Sequence, residues 1–130
     1  MVAAAQGDLP TAFDTFLTAV CGPRYRTVIE SALGRAGLAR AEREPGYTFA
    51  GEVPALAGWH FDAQLARRVN QPVHLVAGGA SPPFTHRVVE YLAGLLPDAR
   101  TTVIPDENHL LPLQAPATLA ALLPAPTPIP

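Results

Sequence analysis

Apolar residues in the first half of the chain recur at helical spacing. Phe13, Phe16, Leu17 and Val20 share one face of a helix expected from Pro10 to Val20, with Thr11 placed to cap it. Gly22-Pro23 then supplies a stop followed by a helical first turn. Tyr25, Val28, Ile29 and Leu33 mark a second helix, expected to end at Gly34 or Gly37. A third series runs through Phe49, Val53, Leu56 and Trp59. Asp62 is positioned as the N-cap of a short helix, Ala63 to Arg68, whose arginines suit the negative end of the helix dipole. No strand is expected in this half.

The pattern changes at Gln71-Pro72. Val73-His74-Leu75-Val76-Ala77 is a short continuous apolar run, which predicts a strand buried on both faces. Phe84 to Leu96 follows as a helix with Val88, Val89, Leu92, Leu95 and Leu96 on its inner stripe. Pro97-Asp98-Ala99 ends it, and Arg100 to Ile104 makes a second strand. Strand, crossover helix and strand form a βαβ unit, which implies two parallel strands joined with right-handed connectivity. A last helix is expected over Ala117 to Leu123. Beyond it, Pro124 to Pro130 alternates prolines that lock φ and remove amide donors, so an extended tail is expected. The fold class is therefore α/β, with a helical segment over 1–70, a βαβα unit over 71–123 and a Pro-rich tail over 124–130.

Composition narrows the class of protein. Hydrophobic residues make up 48% and charged residues 15% of 130 positions, far from the signature of disorder and enough for one globular domain. A net charge of −2 and a pI near 6.0 provide no basic field for nucleic acid or an anionic membrane, and neither partner is expected. The single cysteine, Cys21, rules out an intramolecular disulfide and a cysteine-rich zinc site, and it reads as a small buried hydrophobe. The N-terminus lacks a basic region followed by an apolar run, and no stretch approaches the ~20 apolar residues of a membrane span. A cytoplasmic location is expected.

Chemistry in open parallel sheets gathers where strands end at their carboxyl edge. The loops Gly78 to Pro83 and Pro105 to His109 both belong to that edge, so they are expected to meet in space. "QPVHLVAGGASPPF", followed by a helix and "LLPDARTTVIPDENHLLPLQAP", resembles the C-terminal part of the α/β-hydrolase fold, with its last two strands and histidine loop. "DTFLTAVCGPRYRTVIESAL" and "VPALAGWHFDAQLARR" look like the helical cap segment that precedes it, more loosely. The resemblance implies a partial α/β-hydrolase-like fold in which 1–70 is cap-like. It also implies that His109 matches the general base of a nucleophile, acid, histidine triad. Imidazole suits that role because its ordinary pKa lies near neutrality.

The expected nucleophile is absent. An elbow reads Gly-x-Ser-x-Gly between strand and helix, and Gly79-Ala80-Ser81-Pro82-Pro83 reproduces only its first half. Pro82 has no N–H to donate to an oxyanion, a loss that costs about 100- to 1,000-fold in turnover. Ser81 instead matches the family's loop after the penultimate strand, where a triad acid often sits, and serine there leaves His109 without its orienting partner. Asp106 and Glu107 read as a solvated loop edge, and Ser31 lies on a cap helix without flanking glycines.

His60, His74, His86 and His109, with Asp62 and Asp106, match no dense ligand spacing, so no metal and no cofactor is expected. His74 reads as a satisfied core residue and His86 as belonging to the exposed face of its helix. Trp59, Phe61 and Phe84 are candidates to line an acyl or aromatic pocket beneath the cap, with core packing as the plainer role.

Three functional expectations follow. The chain is a truncated α/β-hydrolase-like protein, inactive alone. Alternatively it is half of a split serine hydrolase acting on esters and completed by a partner chain, or a non-catalytic interaction module. The partners expected are a complementary hydrolase chain or a second copy bound through an exposed sheet edge.

Overall fold

The computed structural model describes residues 2–123, so the tail expected at 124–130 lies outside the described residues. A short helix, α1 (Val2–Ala5), which the apolar pattern does not mark, precedes α2 (Leu9–Cys21). The cap of α2 is Asp8 rather than the expected Thr11: the Asp8 carboxylate accepts the amide N–H of Thr11 at 3.2 Å. Thr11 lies too far inside the first turn to cap, and Pro10, lacking an N–H, suits the turn itself. Gly22 ends α2 at φ 87°, a conformation that favours glycine.

Helix α3 (Tyr25–Arg43) runs past both expected stops, but Gly34 breaks it at φ 71° and ψ 174°. The expected boundary is therefore a real interruption, after which helical geometry resumes. A helical run follows, made of α4 (Pro45–Tyr47), a π-helical stretch (Thr48–Glu52) and α5 (Val53–Gly58). It docks on α2 through an edge-to-face contact of Phe16 and Phe49, whose ring centroids are 6.0 Å apart. Helix α6 (Ala63–Ala66) is capped as expected by Asp62, which accepts the amides of Gln64 and Leu65 at 2.8 and 2.9 Å.

The second half is a βαβ unit. Strand β1 (Val73–Gly78), helix α7 (Pro83–Leu95) and strand β2 (Ala99–Ile104) lead to α8 (Leu111–Gln114) and α9 (Pro116–Leu122). The two strands pair in parallel and in step, from Val73 opposite Ala99 to Gly78 opposite Ile104. The mixed helix and sheet architecture is thus α/β in the general sense.

Two expectations about burial are corrected. Strand β1 is half-buried over Val73 to Val76 and fully buried only at Ala77 and Gly78, rather than covered on both faces. On α7, Val88 belongs to the exposed surface with Phe84 and Tyr91, while His86 is half-buried. The open face of β1 and the exposure of Val88 follow from one cause: a sheet of two strands is too narrow to cover a helix stripe and leaves one of its own faces open. His74 does find a partner, its Nε2 lying 2.8 Å from Thr102 Oγ1 across the strand pair.

The core is small and lies at the join of the two halves. Cys21, Tyr25 and Ile29 form its buried centre, with Phe13, Leu17, Val20 and Leu38 from the helices and Leu110 and Leu113 from the C-terminal loop and α8 packed around it. Tyr25 is the largest fully buried side chain, and its hydroxyl donates to Asp14 Oδ1 at 2.9 Å. Asp14 and Glu42 both pair with Arg26, which lies over the Tyr25 ring. The exposed surface is 8980 Å². A compact monomer of this mass exposes about 6,600 Å². Among the described residues no helix is long and apolar enough to cross a membrane.

Candidate functional site

The two loops at the carboxyl edge meet as the parallel topology requires. Gly79 N–H donates to Ile104 O at 2.8 Å, extending the strand ladder by one bond. Ala80 N–H then donates to Glu107 O at 2.8 Å, tying one loop to the other. The approach is close enough that a Cβ on Gly78 would overlap the carbonyl oxygens of Glu107 and Asn108. Asp106 turns the second loop at φ 63°, left-handed backbone that aspartate tolerates better than most residues.

Asn108 is the organising side chain, though the sequence pattern of catalytic residue types does not mark it. Its Nδ2 donates to Cys21 O at 2.7 Å, linking the loop to the end of α2 across 87 positions. Its Oδ1 accepts Leu110 N–H at 2.7 Å, and its own amide donates to Gln114 Oε1 at 3.0 Å. The signal was present in the sequence, because asparagine commonly bonds the backbone two residues on. Replacing Asn108 by aspartate keeps the bond from Leu110 but sets a carboxylate oxygen against the Cys21 carbonyl. A loss of about 1–3 kcal/mol is expected in urea unfolding at neutral pH. The repulsion raises the new carboxyl's pKa in the folded state, so part of the loss returns as the pH falls and the acid regains a proton to donate.

Ser81 and His109 border one cavity of about 350 Å³, walled by apolar side chains that include Val76, Val88, Val89, Leu111 and Leu119. They play different parts in it. Ser81 is 7% exposed, and among the described residues its Oγ, like Thr85 Oγ1, is buried without a hydrogen-bond partner. An unsatisfied buried hydroxyl costs about 1–3 kcal/mol. His109 is exposed at the mouth, and among the described residues no hydrogen bond or ion pair joins it to Ser81, Asp106 or Glu107. The loop therefore presents an exposed imidazole but, among the described residues, no base–nucleophile couple. The N-cap of α7 is Pro82 and its first residue is Pro83, so neither position can donate an N–H to an oxyanion.

A second cavity, of about 370 Å³, lies on the other side of Asn108 between this edge and the turn from α2 to α3. Cys21, Arg24, Thr27, Asp106 and Gln114 line it. Burial pushes the Cys21 thiol above its ordinary pKa, which makes it a poor nucleophile.

The aromatic candidates are placed elsewhere. Trp59 and Phe61 stack on each other, with centroids 5.5 Å apart and planes 13° from parallel. Trp59 is largely exposed and borders an apolar depression with Ala55 and Leu56. Tyr91 on α7 donates its hydroxyl to Phe61 O at 3.2 Å, which holds this connection against the βαβ unit. Phe84 is exposed at the start of α7. None of the three lines the cavity beside His109. Among the described residues no three His, Cys, Asp or Glu side chains converge as metal ligands.

Fold and site together define a helix-rich α/β chain whose parallel strands end in a loop pair carrying an exposed histidine beside an apolar cavity. No family model, curated protein or solved structure matches it.

Proposed function

We propose that this chain is an α/β-hydrolase-like protein that keeps a histidine loop at the carboxyl edge of its sheet and is not a hydrolase by itself. The observation that carries the reading is the meeting of the two strand-end loops, with His109 at the mouth of a cavity and Pro82 directly after Ser81. This is the arrangement expected of a proton-carrying histidine whose attacking group and oxyanion donors come from outside. The proposal includes a cytoplasmic location, where a lone thiol such as Cys21 stays reduced.

A direct assay is hydrolysis of 4-nitrophenyl butanoate by the purified chain. The expected rate is that of buffer with free imidazole. Rapid turnover that disappears in Ser81→Ala would overturn the reading.

The uncovered sheet favours a second reading, in which another polypeptide completes the site. Among the described residues β1 and β2 pair only with each other, and Val103 is 50% exposed. Strand addition beside β1 would bring a donor segment to the same carboxyl edge as His109. Mixing the chain with a protein bearing Gly-x-Ser-x-Gly should then produce esterase activity that His109→Ala removes; activity indifferent to that substitution counts against completion.

A further inference from the structure

Helix α7 packs on both strands, with Thr85, Val89 and Leu92 half-buried on that side. Its other side carries an apolar row: Phe84, Val88 and Tyr91, each about one turn from the next, are 41%, 52% and 56% exposed. The hydroxyl bond to Phe61 O fixes the Tyr91 ring, and Phe61 in turn stacks on the exposed Trp59. An apolar row displayed on a regular helix marks an interaction surface, unlike single apolar residues scattered over the exterior.

Two charges on the same side identify the occupant. Arg87 and Glu90 are exposed, and among the described residues neither forms an ion pair. A partner that suits this face offers apolar side chains opposite the row and one charge of each sign in reversed order. A second α7 running the opposite way has that pattern. Run in the same direction, it would set arginine against arginine and glutamate against glutamate, which repel.

We propose that two copies of this chain pair through α7, antiparallel about a two-fold axis beside Arg87 and Val88. The axis sets Phe84 of each copy against Tyr91 of the other and brings Arg87 within a turn of the other copy's Glu90. Each contact is thus made twice, as in any isologous dimer. A helix of 13 residues is about 20 Å long, so the interface is at the small end and the dimer is reversible. The inference rests on the exposed face of α7 and holds whether or not the chain is hydrolase-like.

The test is sedimentation equilibrium of the purified chain from about 5 to about 500 μM, where a monomer–dimer equilibrium is expected. Val88→Asp puts two carboxylates together at the axis and should leave monomer alone. Arg87→Glu, and separately Glu90→Arg, should each weaken association about tenfold or more, because like charges then meet at both pairs. The double variant carrying Arg87→Glu and Glu90→Arg restores opposite charges and should return to within about threefold of the native affinity. That recovery separates charge from folding, and circular dichroism checks each variant.

Monomer throughout the range would leave the face to a partner of another sequence and overturn the proposal. A dimer indifferent to Val88→Asp would place the contact on another surface, the sheet edge included, and overturn it as well. A double variant that stays as weak as the single ones would refute the antiparallel pairing, and growth beyond two copies would mean a contact that does not close.

Discussion

Tyr25→Ala is expected to cost about 3–5 kcal/mol and to lower the melting temperature by more than about 10 °C, read by far-UV circular dichroism. Few residues carry the core, and Tyr25 is its largest fully buried side chain. Its ring packs edge to face on Phe13, with centroids 6.0 Å apart, and its hydroxyl reaches Asp14. Tyr25→Phe separates the two contributions: it keeps the ring and loses only the hydrogen bond to a charged partner, for about 1.5–3 kcal/mol.

Titration gives a second handle on the same residue. Burial first, and then the hydrogen bond to Asp14, push the Tyr25 phenol up to about 12, while Arg26 pulls the other way. The unfolded phenol titrates near 10. Because the folded value is the higher one, the stabilisation is complete below about pH 10 and is lost as the pH rises towards 12. Tyr25→Phe should lack that decline when the two proteins are unfolded in parallel across this window. A parallel decline in the variant would assign alkaline sensitivity to another group. Asp14 complements this: the Tyr25 hydroxyl and then Arg26 hold its carboxyl below the usual range, so its share of stability is lost on strong acidification.

Gly78→Ala is expected to cost about 3 kcal/mol or more, because the new methyl would meet backbone and not a side chain that can swing away. The Glu107 and Asn108 carbonyls can retreat only by breaking the Glu107 bond to Ala80 or displacing Asn108 from Cys21. Amide resonances from Gly79 to Ser81 and from Glu107 to Leu110 should move together. Gly94 provides the contrast, since nothing lies within 4 Å of its added Cβ and it sits in a helix. Gly94→Ala should raise stability by about 0.5–1 kcal/mol. Comparable behaviour of the two variants would mean that the loops do not approach as described.

Local patterning made most elements legible. The apolar run after Pro72 became β1, the stripe from Phe84 became α7, and Asp62 capped the helix it was expected to cap. The meeting of the strand-end loops was also readable, since parallel strands in one sheet must end on the same side. Burial was not. Val88 and the face of β1 look like core in one dimension, and only the number of strands decides whether anything covers them. The short helices α1 and α8 escaped because four residues are too few to show a period. At the candidate site, residue types with obvious chemistry drew attention to His109 and Ser81. The positions that bring the two loops together, Gly78 and Asn108, act through backbone contacts that leave little trace in composition. Trp59 and Phe61 were read as pocket candidates, and that they stack on each other away from the cavity depends on how the connection packs on α7.

The bond from Asn108 to Cys21 has a consequence for synthesis on the ribosome. The helices carrying Cys21, Tyr25 and Ile29 emerge first, yet Leu110 and Leu113, which close over them, are made much later. Until those residues clear the exit tunnel, the nascent helices expose their sticky side, an opening for chaperone capture or mispairing between neighbouring chains.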